Sequence, residues 1–217
     1  MILRRPDDAF CLYVLAHGAG AGMRHPFLEA LSNALAAERV ATLRYEFAYM
    51  EQGKGRVDTP PATHARVREA VAAAAAEQLP LFAGGKSFGG RMTSQAQALE
   101  PLRGVVGLAF VGFPLHPAGK PGTERAAHLR EVHLPTLFLQ GTRDELTDLA
   151  LLRPVLEALP GASLHVVEDA DHSFHVRKKS GRGDAEVIRE LARVFATWAQ
   201  RTMGDSSSRS SRSAGSR

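Results

Sequence analysis

The chain is 217 residues long, with 44% hydrophobic and 23% charged residues, close to the averages for soluble globular proteins. This composition excludes a disordered chain, a collagen and a long coiled coil, and the length predicts one domain. No apolar run approaches the roughly 18 residues of a membrane span, and the first residues lack the apolar stretch of a signal peptide. We therefore expect a cytoplasmic protein with no membrane partner. The single cysteine, Cys11, excludes an internal disulfide and a cysteine-based zinc site.

Part of the positive charge lies at the end of the chain. The formal net charge is +4, and residues 204–217, with seven serines and three arginines against one aspartate, carry +2 of it. Such a segment has almost no apolar surface to bury, so we expect it to be disordered. The folded domain is then residues 1–203. Its remaining +2 gives no reason to expect a nucleic-acid partner, and nothing in the sequence predicts the oligomeric state.

Short apolar runs alternate with helical patterns from residue 10 onward. In chain order, strands are predicted at 10–16, 40–47, 81–85, 104–112, 135–140 and 162–167, and helices at 26–39, 60–78, 89–99, 147–159 and 184–201. Strands that are apolar at successive positions are typical of a parallel sheet covered by helices on both faces. The pattern predicts an α/β fold with a doubly wound parallel sheet of about six strands. Ligands of such sheets bind outside the carboxyl ends of the strands.

The loop after the third predicted strand contains a serine between spaced glycines. Gly85, Ser87 and Gly89 match G-x-S-x-G, in which small neighbours allow a tight strand-to-helix turn that exposes the serine Oγ. The Gly-Lys-Ser within it also resembles the end of a phosphate-binding loop, but that motif needs a glycine where Pro80 stands. The motif therefore favours Ser87 as a nucleophile, with Lys86 as a flanking residue.

A nucleophilic serine needs a base and an acid that orients the base. Asp144 follows the fifth predicted strand and His172 follows the sixth, which gives the Ser…Asp…His chain order of α/β hydrolases. Glu145 and Asp148 are alternative acids. His165 and His175 are alternative bases.

Two backbone amides must stabilise the oxyanion of a tetrahedral intermediate. We predict that Phe88, directly after the nucleophile, supplies one and that Ala19, in the glycine-rich loop after the first strand, supplies the other; Gly20 is the alternative. His17, at the start of that loop, is predicted to make structural hydrogen bonds. No histidine spacing backed by a carboxylate indicates a metal site, and no cofactor is implied.

Six segments together resemble a family of small, lidless, dienelactone-hydrolase-like α/β hydrolases, related to testis-expressed protein 30 and to the hydrolase-like subunit of the non-specific-lethal chromatin complex. These segments are 16–20 (AHGAG), 44–50 (RYEFAYM), 85–91 (GKSFGGR), 114–121 (PLHPAGKP), 140–144 (QGTRD) and 170–174 (ADHSF). The resemblance extends over residues 13–198. It implies an α/β-hydrolase fold, with Ser87, Asp144 and His172 as the catalytic triad.

The segment between the fourth and fifth strands bears on the substrate. Only about twenty residues, 113–133, lie where many hydrolases insert a cap, so we expect an open site without a cap domain. Its predicted walls are Tyr49, Met50, Phe113, Leu115 and His116, with a core position as the alternative for Phe113. The predicted function is a serine hydrolase for a small carboxylic ester or thioester. The alternative is a non-catalytic hydrolase-like module that binds a protein.

Overall fold

A computed structural model describes the backbone of residues 1–214 and the side chains of residues 1–205. The strands are β1 (Ile2–Arg4), β2 (Cys11–Ala16), β3 (Val40–Tyr45), β4 (Leu81–Lys86), β5 (Val105–Val111), β6 (Thr136–Gly141) and β7 (Ala162–Val167). The helices are α1 (Pro26–Ala37), α2 (Ala48–Glu51), α3 (Pro60–Ala74), α4 (Phe88–Leu99), α5 (Leu149–Glu157) and α6 (Asp184–Ala214). Short 3-10 helices cover Ala75–Glu77, Glu124–Glu131 and Lys178–Ser180.

The strands form one sheet of seven in the order β1-β3-β2-β4-β5-β6-β7. The six predicted strands, β2 to β7, are all parallel to their neighbours. The predicted number of about six is corrected to seven, because β1 pairs antiparallel with β3 at the sheet edge. β1 has only three residues and none of them is buried, so it lacks the apolar run that marked the others.

The continuous apolar runs arise because helices cover both faces of the sheet. Along β2, Leu12 and Val14 pack into a core with α3, α4 and α5, whereas Tyr13 and Leu15 pack on the opposite face with α1 and α6. Successive side chains of a strand point to opposite faces, so a strand between two cores is apolar at every position. The predicted α/β, doubly wound class is confirmed.

The predicted helices form, with differences at their ends. α5 begins at Leu149 rather than residue 147, because the Asp148 side chain caps it by accepting from the Ala150 N–H at 2.8 Å. The short α2 was not predicted. α6 continues past the predicted domain boundary at residue 203 to Ala214. Residues 215–217 of the predicted disordered tail lie outside the described residues, and disorder there stays a prediction.

The segment between β5 and β6 contains only the 3-10 helix Glu124–Glu131. Within residues 1–214 no cap domain covers the sheet, as predicted. Among the described residues, no helix is both long and apolar enough to cross a membrane.

Candidate active site

Ser87 lies at the sharp turn between β4 and α4, with backbone angles of φ 49° and ψ −117°. Non-glycine residues rarely adopt a positive φ, and such strain is concentrated at functional sites. The flanking glycines are required by close packing. A Cβ on Gly85 would lie 2.3 Å from the Ala16 carbonyl oxygen, and one on Gly89 would lie 2.4 Å from that of His17. The turn therefore tolerates no larger residue at either position.

The side chains of Ser87, His172 and Asp144 form a continuous chain of hydrogen bonds. The Ser87 hydroxyl lies 2.8 Å from His172 Nε2, and His172 Nδ1 lies 2.7 Å from Asp144 Oδ2. Because an ionised carboxylate only accepts, Nδ1 carries the imidazole proton and Nε2 accepts from the serine. The three residues follow β4, β7 and β6 at the carboxyl edge of the sheet. The structure thus brings the three predicted side chains together.

Asp144 is held by two further donors. Its side chain is 1% exposed, Oδ1 accepts from the Leu146 N–H at 2.9 Å, and Oδ2 accepts from Gln140 Nε2. Gln140 is fixed in turn, since its Oε1 accepts from the Phe113 N–H at 3.0 Å. Sequence reasoning missed Gln140. Its only signal is a polar side chain at the end of an otherwise apolar strand, four residues before Asp144.

The alternative acids and bases lie outside the hydrogen-bond chain of Ser87, His172 and Asp144. Asp148 caps α5, and Glu145 is exposed. His165 contacts Glu190 at 2.7 Å and His175 contacts Asp184 at 2.6 Å. Neither of those two histidines reaches Ser87.

Hydrogen bonds of His17 hold the glycine-rich loop after β2 in place. His17 is buried; its Nδ1 donates to the Gly18 carbonyl at 2.7 Å and its Nε2 accepts from the Phe47 N–H at 3.1 Å. Burial lowers the pKa of His17, which keeps the ring neutral for this pair of bonds. The predicted structural role of His17 matches this geometry.

The same loop offers one amide at the cavity. The Gly20 N–H donates to the Tyr49 hydroxyl at 2.9 Å, so the alternative oxyanion donor is already engaged. Ala19 lines a cavity together with Ser87 and His172. Phe88 is the first residue of α4, where an amide has no partner within its own helix.

The cavity at Ser87 has a volume of about 360 Å³. Its lining is mixed, with apolar side chains from α1 and the loops and polar ones around the serine. The lining residues are Gly18, Ala19, Ala21, His25, Phe27, Leu28, Lys86, Ser87, Leu146, His172 and Ser173. A larger cavity, about 780 Å³, lies at the opposite edge of the sheet near the starts of β6 and β7 and includes none of the three hydrogen-bonded side chains.

The walls predicted from the sequence do not line the Ser87 cavity, and this prediction is corrected. Phe113 and Leu115 are buried in the core, where Phe113 packs against Phe110 and Phe138 at ring distances of 5.4 and 5.6 Å. His116 holds its loop by accepting from the Asp148 N–H. Tyr49 and Met50 lie behind the glycine-rich loop, Tyr49 through Gly20 and Met50 beside Gly22.

Lys86, which the sequence suggested only flanks the serine, also lines the cavity. Its Nζ donates to the main-chain carbonyl of His172 at 2.6 Å and lies 5.7 Å from the centre of the Phe174 ring. Burial lowers the pKa of Lys86 to about 8, while Asp144 and Asp171 act in the opposite direction. Lys86 therefore ties the loop that carries His172 to the serine turn. Among the side chains of residues 1–205, no cluster of three or more histidine, cysteine or carboxylate groups could hold a metal ion.

The fold is shared with several solved structures. A serine hydrolase homologue from Coxiella burnetii is 21% identical, with 88% of each chain covered and a TM-score of 0.68. A dienelactone hydrolase from Anabaena variabilis is 21% identical over 92% of this chain and 89% of its own, with a TM-score of 0.67. XC6422 from Xanthomonas campestris, described as a serine hydrolase without a lid, is 20% identical over 89% and 87%, with a TM-score of 0.65.

At these identities the likeness concerns the fold. A family model provides the stronger link, because the model of the alpha/beta hydrolase domain matches residues 10–200. This match includes the serine turn and both loops that follow β6 and β7. The chain belongs to the alpha/beta hydrolase family.

Proposed function

We propose that the protein is a serine hydrolase that cleaves a small carboxylic ester or thioester through an acyl-enzyme. The observation that carries the proposal is the unbroken hydrogen-bond chain from Ser87 through His172 to Asp144, at 2.8 and 2.7 Å, beside an open cavity. Serine hydroxyls become nucleophilic at neutral pH when a base accepts their proton and an acid orients that base.

Acylation proceeds in two steps, the formation and the collapse of a tetrahedral intermediate. His172 Nε2 takes the Ser87 proton as Oγ bonds to the acyl carbon, and the carbonyl electron pair moves onto oxygen. The Ala19 and Phe88 amides stabilise this oxyanion. When the electron pair returns, the bond to the leaving alcohol or thiol breaks, and His172 donates the proton to that leaving group.

Water then hydrolyses the acyl-enzyme by the same two steps. His172 takes a proton from water, the hydroxide oxygen bonds to the acyl carbon, and Ser87 Oγ leaves with the proton that His172 returns. Asp144 stays ionised throughout and stabilises the imidazolium that forms twice in each cycle.

The cavity suggests the size of the acyl group. About 360 Å³ lies near the lower limit of small-molecule sites, and the absence of a cap leaves the leaving-group side open. Phe27, Leu28 and Leu146 give the cavity an apolar wall. We therefore propose short acyl chains on soluble alcohols or thiols.

The first test is labelling with a fluorophosphonate, alongside turnover of p-nitrophenyl acetate, p-nitrophenyl butyrate and an acetyl thioester. We expect labelling and turnover in the wild type and neither in Ser87→Ala. Ser173→Ala is the matched control, because Ser173 lines the same cavity but lies outside the hydrogen-bond chain.

If a folded wild-type protein is neither labelled nor active, the hydrolase proposal is wrong. The alternative from the sequence, a non-catalytic module that binds a protein partner, would then be favoured. The resemblance to the chromatin-complex subunit agrees with that alternative.

A further inference from the structure

Arg91 lies on α4, one turn beyond Ser87, and its guanidinium has no partner. Its Nε is buried without a hydrogen-bond acceptor, and no hydrogen bond or ion pair joins its side chain to the described part of the chain. The Nε of Arg44 is likewise buried without an acceptor, but its two terminal nitrogens donate to the Met23 carbonyl and to Glu29. Burying a polar atom of a cation without an acceptor is unfavourable, so the half-buried Arg91 side chain would be stabilised by a negative group.

Two imidazoles lie beside the next turn of the same helix. His128, from the 3-10 helix Glu124–Glu131, contacts Ser94 Oγ through Nε2 at 2.7 Å. His64, from α3, contacts Gln95 Oε1 at 3.3 Å; because that oxygen only accepts, His64 Nε2 donates. The two histidines therefore reach α4 from two different elements, adjacent to Arg91.

The ionisable groups of this cluster are all positive in their protonated form. Burial, together with the neighbouring Arg91 and His64, lowers the pKa of His128 to about 4. The pKa of His64 is lowered by burial, with Arg68 and Arg91 contributing, and that of Arg91 by burial and by Arg125.

Among the side chains of residues 1–205, no carboxylate forms an ion pair with Arg91 or Arg125. Arg125 lies three residues before His128 on the same 3-10 helix, where residues three apart lie on the same side, and its side chain makes no hydrogen bond or ion pair in the described part of the chain. Glu100, just after the far end of α4, pairs with Arg68 at 3.5 Å instead. Two guanidiniums without an ion pair among the described side chains thus lie beside two neutral imidazoles.

We propose that Arg91 and Arg125, flanked by His64 and His128, form a binding site for a tetrahedral oxyanion, either free phosphate or the phosphoryl group of a larger ligand. Guanidiniums bind such groups through paired, charge-assisted hydrogen bonds. The imidazoles supply further donors once the anion is present. The site is separate from the Ser87 cavity, whose lining contains none of these four residues.

The test is calorimetric titration with sodium sulfate, which keeps one charge state between pH 6 and 8, against sodium chloride at equal ionic strength. We expect saturable sulfate binding by the wild type. Arg91→Met should weaken it about tenfold or more, as expected for the loss of a charge-assisted bond. Arg103→Met, which removes the charge of an exposed arginine, is the matched control and should bind like the wild type.

Other variants locate the anion. Ser87→Ala and Lys86→Met should retain sulfate binding; if they abolish it while Arg91→Met does not, the anion binds in the Ser87 cavity and the proposal is wrong. Equal responses to sulfate and chloride would also overturn it, because they indicate screening alone. Arg125→Met repeats the test should Arg91→Met fail to fold. Because Arg91 and Arg125 lie outside the Ser87–His172–Asp144 chain, a failure of the sulfate test says nothing about hydrolysis.

The pH dependence gives a second readout. Because a bound anion favours the protonated imidazoles, binding should take up protons and be tighter at pH 6 than at pH 8. Titrations in two buffers of different ionisation enthalpy measure that uptake. Affinity that is unchanged or weaker at pH 6 would contradict a role for His64 and His128. Comparing inorganic phosphate with phenyl phosphate then distinguishes the sources: tighter binding of the ester points to a phosphorylated ligand, and weaker binding points to the free ion.

Discussion

The ammonium group of Lys86 donates to the main-chain carbonyl of His172 over 2.6 Å, so the residue before the nucleophile holds the loop that carries the base. The bond is strongest with the protonated lysine, whose pKa is lowered to about 8 by burial. The position of His172 is thereby linked to the charge of a neighbouring side chain.

We expect kcat/KM of the wild type to fall as pH rises through about 8, because the ammonium loses its proton and holds His172 less firmly. Lys86→Met should be less active at pH 7 and lack this alkaline loss. The measurement is the pH profile of p-nitrophenyl acetate turnover, with the exposed Lys179→Met as control. An identical alkaline limb in Lys86→Met would show that another group causes it.

As pH rises, the free energy of unfolding should change in the direction opposite to kcat/KM. Lys86 has a folded pKa of about 8 against an ordinary value of 10.5, so between these values the unfolded chain binds more protons. The free energy of unfolding then rises with pH in this window. Urea denaturation should show the wild type gaining stability relative to Lys86→Met from pH 8 to 10.5. A constant difference between the two proteins would contradict the lowered pKa.

Asp144→Asn should lower kcat about 10³- to 10⁴-fold with little change in KM, because an amide at this position favours the wrong tautomer of His172. Steady-state kinetics and a thermal melt separate this effect from unfolding. Asp148→Asn is the control: asparagine caps helices as well as aspartate, so both activity and stability should persist. A wild-type kcat in Asp144→Asn would remove Asp144 from the proposed triad.

Tyr49→Phe removes the acceptor of the Gly20 N–H and should loosen the loop that presents Ala19. We expect kcat to fall roughly tenfold, less than when an oxyanion donor itself is lost, and the free energy of unfolding to fall by about 1 kcal/mol. Tyr45→Phe, which removes a hydroxyl from β3, should leave kcat unchanged. Equal kinetics for the two variants would argue against a contribution of the loop.

Gly85→Ala should destabilise the fold by about 3 kcal/mol or more, because its Cβ would lie 2.3 Å from the Ala16 carbonyl oxygen and overpacked cores relax poorly. Gly55→Ala, where nothing lies within 4 Å of the added carbon, should change stability little. Chemical denaturation compares the two. A stable Gly85→Ala protein would mean that β4 can move away from β2.

The parts of the molecule that were predictable are those with a local signature. The six parallel strands were evident because burial on both faces requires apolar residues at every position. The serine turn was evident because only glycine fits beside Ala16 and His17. β1 had no such signature, since three partly exposed residues at an edge need no particular pattern.

The cavity wall was not predictable for a different reason. Phe113 and Leu115 follow β5 at the carboxyl edge of the sheet, where Ser87 lies. Their sequence gives no sign of whether they face the core or the Ser87 cavity. His25, Phe27 and Leu28 line the cavity instead, through the start of α1. The choice among acids and among histidines likewise depended on tertiary partners, such as Glu190 for His165 and Asp184 for His175.

The alignment of β6 with β7, in which Gly141 pairs with Val167, sets the spacing between the loops of Asp144 and His172. A slip of one residue would displace one loop by about 3.3 Å and reverse the faces of its strand, more than a hydrogen bond tolerates. During refolding, secondary structure can therefore form before Ser87 becomes reactive. Recovery of fluorophosphonate labelling reports when these strands reach their final alignment.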